Sequence, residues 1–481
     1  MSRKVYLTTT LAYVNAEPHL GFAAELIRAD AYARYRRLLG DEVFFNTGTD
    51  EHGDKIYRKA LEANESVQTY VDRYALKFKN LITDLNLSEV NFIRTTDPHH
   101  QVAVKEFWNQ SLANGFIEKK TYQTKYCVGC ELAKTDSELL NDHCPEHPNL
   151  TIELLAEENY FFKFSKFQTY LLYLYQAQPN FVIPEIRFRE IKSFVTSGLQ
   201  DFSISRVKAK MPWGIPVPND PDQVIYVWFD ALINYLSAIG WPNDQASFES
   251  WWPVIQFCGK DNLRQQSAMW QAMLASVGLA SSKNIVINGF ITSGGQKMSK
   301  SLGNVVDPVL LAHNWGVDSL RYFILRELSP FEDSDFTLER FRDSYNGELA
   351  NGLGNLTSRI IKMAETYEVK ILPADLRPAG VWLLDDFFAE YRSAIEEFQP
   401  NRALDFIWTQ IKEADLYIQN TEPFKLIKTE PAKAKEHVEY LLGALWRIAI
   451  GLEPFLPETA LKIQKMIKRE LPLEPLFLRR D

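Results

Sequence analysis

Four residues in one stretch have the types and spacing of a metal site: Cys127-x2-Cys130, then x13, then Cys144-x2-His147. Two turn-forming pairs can place three thiolates and an imidazole on a tetrahedral Zn2+. No open coordination position is evident, so the expected role is structural. A second candidate is "SGGQKMSKSLGN", Ser293 to Asn304, in which Lys297 and Lys300 stand three apart among serines and glycines. Such a stretch reads either as a solvated surface loop or as a mobile cationic loop that closes over a polyphosphate. The third is "PHLGF", Pro18 to Phe22, at the expected opening of a helix. Unpaired N–H groups and the positive end of the macrodipole suit an anion there. Gly21 allows close backbone approach, and His19 can donate to a phosphate oxygen or serve only as a cap. Neither a dinucleotide fingerprint nor a Walker loop accompanies these stretches.

The elements around them decide where they meet. "KVYLTTT", Lys4 to Thr10, has the β-branched and aromatic content of a strand. The following segment places Ile27, Ala31, Tyr35 and Leu38 at helical spacing and ends at Gly40. "EVFFNTG" is the next strand. This βαβ unit predicts a doubly wound α/β domain on a parallel sheet, with ligands beyond the carboxyl ends of the strands. The loops after Thr10 and Thr47 are therefore where chemistry is expected. From about Thr121 the pattern breaks into the cysteines, a polar insert and the helix-like "FSKFQTYLLYLYQAQ", ending near Val224. The sheet is expected to resume with "VIYVWFDALINYL", "VIQFCGKDN" and "NIVINGFIT". The last of these delivers the lysine stretch to the same side of the sheet as His19, an arrangement that fits a nucleoside triphosphate. Asp307-Pro308 is a helix start, and Asp318 and Thr337 are expected later caps. From Leu338 to about Arg469 nearly everything reads as helix. The expected divisions are 1–120, 121–224, 225–291, 292–345 and 346–481.

At 481 residues the chain can hold several cores, and 46% hydrophobic with 24% charged residues is ordinary globular composition. The net charge of −9 argues against a generic nucleic-acid binder but not against a local basic patch. Lys462, Lys465, Lys468 and Arg469 could form one, or be a solvated face. The four cysteines are too few and too clustered for a secreted disulfide framework, and Cys258, outside the cluster, reads as a small buried residue. The N-terminus lacks the apolar core of a secretory signal, and no run is apolar and long enough to span a membrane. The cytoplasm is the expected compartment, and a monomer the expected state.

With "AYVNAEPHLG", "DEVFFNTGTDEHG", the cysteine knuckle, "VIYVWFDALINYL", "FCGKDN", "GGQKMSKSLGNVVDP" and "NGLGNLTSR" in this order, the chain resembles the class I aminoacyl-tRNA synthetases, and among them the bacterial-type methionyl-tRNA synthetases. The resemblance implies a Rossmann-like catalytic domain, a zinc-knuckle insert and a C-terminal all-α anticodon-binding domain. It implies ATP, with Mg2+, and L-methionine as substrates, and a tRNA with a CAU anticodon as partner. By the same resemblance His19, Gly21, Lys297 and Lys300 are catalytic. Gly21, Glu25, Gly259, Lys260, Asp261 and Lys300 meet ATP and the adenylate. Asp50 takes the substrate ammonium, while Leu11, Tyr13, Trp228, Ala231, Tyr235, Gln266 and Trp270 surround the rest of methionine. Asn355 and Arg359, four apart on a helix, read anticodon bases. One structural zinc is held by Cys127, Cys130, Cys144 and His147.

The chain departs from the family at Phe22, Gln266 and Asn288, where a histidine is usual, and shows no tryptophan at the family's late anticodon-stacking position. Editing synthetases for leucine, isoleucine and valine would need a longer insert. The competing readings are a non-catalytic tRNA-binding paralogue and a small-molecule nucleotidyltransferase.

Overall fold

The computed structural model describes residues 3–134, 138–298 and 303–480. Its centre is a seven-stranded parallel sheet, numbered here in chain order: β1 Lys4–Thr9, β2 Ala12–Tyr13, β3 Glu42–Asp50, β4 Asn91–Arg94, β5 Val182–Ile183, β6 Val254–Gly259 and β7 Asn284–Asn288. The pairing order is β4-β3-β1-β6-β7-β5, and the short β2 continues from β1 alongside the carboxyl end of β3. Successive side chains alternate between two cores. Val5, Leu7, Ile255, Phe257 and Val286 face one, whereas Tyr6, Val254, Cys258, Ile285 and Ile287 face the other. Both faces are therefore buried, as a doubly wound sheet requires. β1 has β3 on one side and β6 on the other, so the chain reverses its winding there. A crevice at the carboxyl ends of β1 and β6 is the expected ligand position.

The first helix, Leu20–Leu38, returns from β1 to β3 and is buried nearly all round, charged residues included. Two antiparallel strands, Ile117–Cys127 and Glu153–Phe162, project as a long ribbon that carries the cysteine cluster at its tip. The ribbon starts before Thr121. The same excursion also returns to the sheet, because Val182 and Ile183 pair with Ile285 and Val286.

Two expectations are corrected. "VIYVWFDALINYL" does not rejoin the central sheet: Asp220–Ile225 pairs in a separate three-stranded antiparallel sheet, and Val227–Leu232 and Asn234–Ser237 are helical. An apolar aromatic run of this kind has no decisive period, so strand and helix look alike in it. Asp318 is no cap for its own helix, Val317–Tyr322; its carboxylate accepts from Thr459 N at 2.7 Å, in the first turn of Pro457–Ile467. Asp307 and Thr337 do cap the helices that follow them.

Beyond Leu338 the described residues are almost wholly helical. The helices Pro400–Thr421, Pro431–Leu452 and Pro457–Ile467 each begin on a proline, whose missing N–H costs nothing in a first turn. Their apolar faces join the same core as one face of the sheet. No helix among the described residues is long and apolar enough to cross a membrane.

Candidate active site and metal centre

The crevice at the winding reversal holds two adjoining cavities. The outer one, about 340 Å3, is lined by Thr10, the turn Asn15–His19, Gly21, Phe22, Glu25, Arg28, Gly259, Asp261, Asn288, Phe290 and Met298, among others. Gly21 N donates to His19 Nδ1 at 3.1 Å, so His19 caps the first helix. A neutral ring accepting there carries its proton on Nε2. Glu25 accepts from Thr10 N at 2.7 Å, and burial pushes its pKa up to about 8 despite that bond. Phe22 packs edge-on against Phe78 at 5.2 Å. Asn288 accepts from Arg28 and donates to the Cys258 carbonyl, both at 3.4 Å. Lys260 is drawn aside: its Nζ pairs with Asp333 at 2.6 Å and lies over the Phe290 ring.

The inner cavity, about 240 Å3, shares Thr10, Leu11, Tyr13 and Asn262 with the outer one. Asp50, Trp228, Ala231, Tyr235 and Gln266 line it, as do Lys55, Asn234, Gln265 and Glu131. Trp270 stands behind, buried, with its ring edge-on to Tyr235 at 5.8 Å. Asp50 ends β3, and its Oδ1 is buried without a hydrogen-bond partner among the described residues. Burial and the carboxylates of Asp230 and Glu131 hold its pKa well above the ordinary carboxylate value. Asp230 behaves oppositely. Burial pushes it up, but His52 Nδ1 at 2.6 Å and His100 Nε2 at 2.8 Å bring it below the usual value. Gln266 sits on a π-helical turn, Gln265–Met269, a geometry frequent at functional sites.

The lysine stretch leaves β7 through a short hairpin. Ile291–Ser293 pairs antiparallel with Gln296–Lys297, and the turn is made by Gly294 and Gly295 at φ 62° and 75°. Positive φ at both turn residues is what a tight hairpin demands and what glycine supplies. Asp335 pins it, accepting from Thr292 Oγ1 at 2.7 Å and Gly295 N at 2.8 Å. Beyond the loop, Val306 O accepts from Leu20 N at 3.0 Å, tying the segment to the first helix. Lys297 lies in this hairpin strand, while Lys300 lies outside the described residues.

Cys127, Cys130, Cys144 and His147 converge, with their ligand atoms all within 4.8 Å of one another. Cys130 Sγ is 3.4 Å from Cys144 Sγ, and His147 Nδ1 is 3.2, 3.9 and 4.0 Å from Cys130, Cys127 and Cys144. Tetrahedral ligands about 2.3 Å from a metal lie roughly 3.7 Å apart, so the donor set fits one ion. A Cβ at Gly129 would stand 2.4 Å from the His147 ring, so this turn requires glycine. Gly129, Cys130 and Glu131 also wall the inner cavity. Glu131 accepts from the Tyr13 hydroxyl at 2.9 Å and from Lys55 N at 3.1 Å. Sequence reasoning missed Glu131, whose partner Tyr13 lies 118 residues away and leaves no local signal.

In the helical region Asn355 opens the helix Asn355–Thr366 and is exposed, and Arg359, one turn on, forms an ion pair with Asp415. Trp382, Trp408 and Trp446 are all buried, so none presents a stacking face. The basic stripe serves packing in part: Lys468 lies over the Trp446 ring, and Arg469 donates to the carbonyls of Ala364 and Val369.

Comparison with known proteins places this geometry. The family model for class I tRNA synthetases (M) matches residues 5–153 and 149–361. The methionine–tRNA ligase of Thermotoga maritima is 39% identical over 97% of this chain and 76% of its own length. That of Synechocystis sp. is 42% identical over 96% of this chain and 89% of its own. The structure of Mycobacterium tuberculosis methionyl-tRNA synthetase in complex with methionyl-adenylate superposes with a TM-score of 0.89, at 35% identity, covering 99% of this chain and 98% of that one. These matches run over nearly the whole chain, and the chain belongs to the methionyl-tRNA synthetase family of class I tRNA synthetases.

Proposed function

We infer that this chain is a methionine–tRNA ligase, which activates methionine with ATP and passes the methionyl group to the 3′ end of its tRNA. The observation that carries the mechanism is the pair of cavities with a shared wall. One is lined by Asp50, a buried carboxylate whose Oδ1 has no hydrogen-bond partner among the described residues and which suits an ammonium. The other opens onto a helix N-terminus, suited to phosphates. A substrate carboxylate lying at Thr10, Leu11 and Tyr13 would face the α-phosphate across that wall.

In this reading Leu11, Tyr13, Trp228, Ala231, Tyr235 and Gln266 hold the methionine side chain, with Trp270 bracing Tyr235. His19 and the backbone at Gly21 receive the triphosphate, and Glu25, Gly259, Lys260 and Asp261 meet the nucleoside. Lys260 must exchange Asp333 for substrate to do so. A carboxylate oxygen of methionine attacks the α-phosphorus, the bond to the β-phosphate bridging oxygen breaks, and pyrophosphate leaves. Lys297 and Lys300 neutralise the charge that develops, with Mg2+ accompanying the nucleotide. A 3′-terminal hydroxyl of the tRNA then attacks the methionyl carbonyl and AMP departs. Zn2+ in the Cys127, Cys130, Cys144 and His147 cluster would supply rigidity alone, with four protein ligands and no open position. Asn355 and Arg359 meet a CAU anticodon from the region 346–481.

The test is methionine-dependent ATP–pyrophosphate exchange by the purified chain, followed by charging of a CAU-anticodon tRNA. Exchange that needs no methionine, or prefers another amino acid, would overturn the reading.

A further inference from the structure

A chain of neutral hydrogen-bonding groups ends on the inner cavity, and its polarity can be read from one end. Ser282 N can only donate, and it reaches Gln271 Oε1 at 3.0 Å; Gln271 Nε2 donates to the Gln266 carbonyl, which can only accept, at 2.8 Å. The Gln271 amide is therefore fixed in orientation. Its Nε2 also reaches Ser282 Oγ at 3.1 Å, so that hydroxyl accepts from it. Ser282 is buried, and the remaining partner for its own hydrogen is Gln256 Oε1 at 2.6 Å. Gln256 must then present Nε2, which donates to Gln266 Oε1 at 2.8 Å. Gln266 is left with Nε2 toward Tyr235 Oη, also at 2.8 Å. Tyr235 accepts that bond, and its hydroxyl hydrogen has no acceptor among the described residues. Tyr235 and Gln266 both line the cavity.

We propose that Gln256, Gln271 and Ser282 are positioning residues that fix the order of hydrogens in this chain, so that Tyr235 offers a donor to the cavity. None of the three lines the cavity, and each is buried. A buried polar chain satisfied at every link has a single low-energy arrangement, because reversing one amide leaves donors facing donors. The ligand such a donor favours is one with an acceptor at that depth. Given the reading of the cavity as a methionine site, on which this inference rests, the acceptor is the thioether sulfur, and an isosteric methylene offers none. The chain thus sets discrimination between methionine and norleucine from a distance.

The experiment compares methionine- and norleucine-dependent ATP–pyrophosphate exchange in the wild-type protein and in Ser282→Ala, Gln256→Met and Ser282→Thr, with thermal unfolding of each. The wild type is expected to prefer methionine by about tenfold or more in kcat/KM. Ser282→Ala and Gln256→Met are expected to lose most of that preference through methionine alone, with norleucine kcat/KM within about threefold of wild type. Ser282→Thr, which keeps the hydroxyl, should retain the preference. Folded Ser282→Ala and Gln256→Met proteins that keep the wild-type ratio, or lose both substrates equally, overturn the proposal. So does a wild-type ratio near one, which is decisive even if neither variant folds. Wild-type protein without methionine-dependent exchange would instead overturn the functional reading beneath it.

Discussion

Arg321 and Asp30 meet at 2.8 Å with neither side chain exposed to solvent. Asp30 lies midway along the helix that His19 caps, and Arg321 also donates to the carbonyls of Phe455 and Pro454, between the last two long helices. One guanidinium therefore bolts the helix capped by His19 to the helical region. Burial pushes Asp30 up, but Arg321, Arg34 and Ser88 bring it below the ordinary carboxylate value. Replacing Arg321 with Leu strands a buried charge, and such losses cost about 3–5 kcal/mol. The depressed carboxylate contributes stability above its unfolded pKa and loses it as pH falls through the folded value. The gap between wild type and Arg321→Leu in urea unfolding should thus be widest near neutrality and narrow in acid. A loss under about 1 kcal/mol at pH 7 would show the bolt to be incidental.

How much of this was legible depended on whether the signal was local. His19 as an N-cap and the four metal ligands depend on short spacings, and all are found where the spacing put them. Asp50 came through the family resemblance, and a carboxylate at the ligand end of a strand of a parallel sheet fits the role that the resemblance implies. Glu131 and Ser282 were not reachable. Their importance comes from partners 118 residues away at Tyr13 and 26 away at Gln256, and no periodicity reports such contacts. The β5 edge strand was hidden for a related reason. Two residues are too short a run to carry an alternation, and only Ile285 and Val286 make them a strand. "VIYVWFDALINYL" failed on its period, being apolar on every side.

The raised pKa of Asp50 predicts a proton count. Its carboxyl holds a proton in the free protein at pH values where an exposed aspartate would be ionised. An ammonium beside Oδ1 favours the ionised form, so methionine binding should release that proton. Affinity should then rise with pH, approaching tenfold per unit between the ordinary carboxylate value and the raised one. Calorimetry at a series of pH values upward from the ordinary carboxylate value, in buffers of different ionisation enthalpy, measures the release directly. No proton released, with tight binding, would place the ammonium elsewhere. Asp50→Asn should abolish both the pH dependence and most of the affinity.

The metal centre should matter to methionine as well as to folding. Cys130 ends one pair of ligands, and Glu131 beside it holds the Tyr13 hydroxyl and Lys55 N at the cavity wall. Elemental analysis is expected to give one zinc per chain. Cys144→Ser should lose the ion, since binding energy at such a site is partly folding energy of the knuckle. Its methionine KM should rise about tenfold or more, while circular dichroism of the rest is kept. A zinc-free variant with wild-type methionine KM would separate the knuckle from the site.

Phe22 occupies the cleft wall without a hydrogen-bond donor, its ring edge-on to Phe78 at 5.2 Å. Phe22→His keeps an aromatic ring at that contact and adds a donor facing the phosphates. A hydrogen bond to a charged group contributes roughly 1.5–3 kcal/mol, so the ATP KM is expected to fall by about tenfold or more. Exchanging the phenyl ring of this pair for the smaller, polar imidazole should cost about 1 kcal/mol of stability. A stable Phe22→His protein whose ATP kinetics are unchanged or worse would show that His19 and the lysine loop already neutralise the phosphates.

Arg359 tests whether the two ends of the molecule do separate work. Its ion pair with Asp415 is about one-third exposed on each side, with side-chain relative exposures of 34% and 36%. Pairs this wet contribute about 0–1 kcal/mol, so Arg359→Ala should leave the fold and its melting temperature nearly unchanged. The amino-acid and nucleotide cavities contain no residue of the helical region. Methionine-dependent ATP–pyrophosphate exchange should therefore stay within about twofold of wild type. In the proposed reading charging needs the tRNA held by its anticodon, and loss of one good base contact weakens binding by about 1–3 kcal/mol. The charging rate at subsaturating tRNA should fall about tenfold or more, recovering as tRNA is raised. Asp415→Asn gives the converse: Gln419 still has a side-chain partner at that position, but Arg359 loses its carboxylate and becomes free to meet RNA. Tighter tRNA binding with unchanged exchange is expected from it. Equal losses in exchange and charging for Arg359→Ala would mean that the guanidinium supports structure and reads nothing.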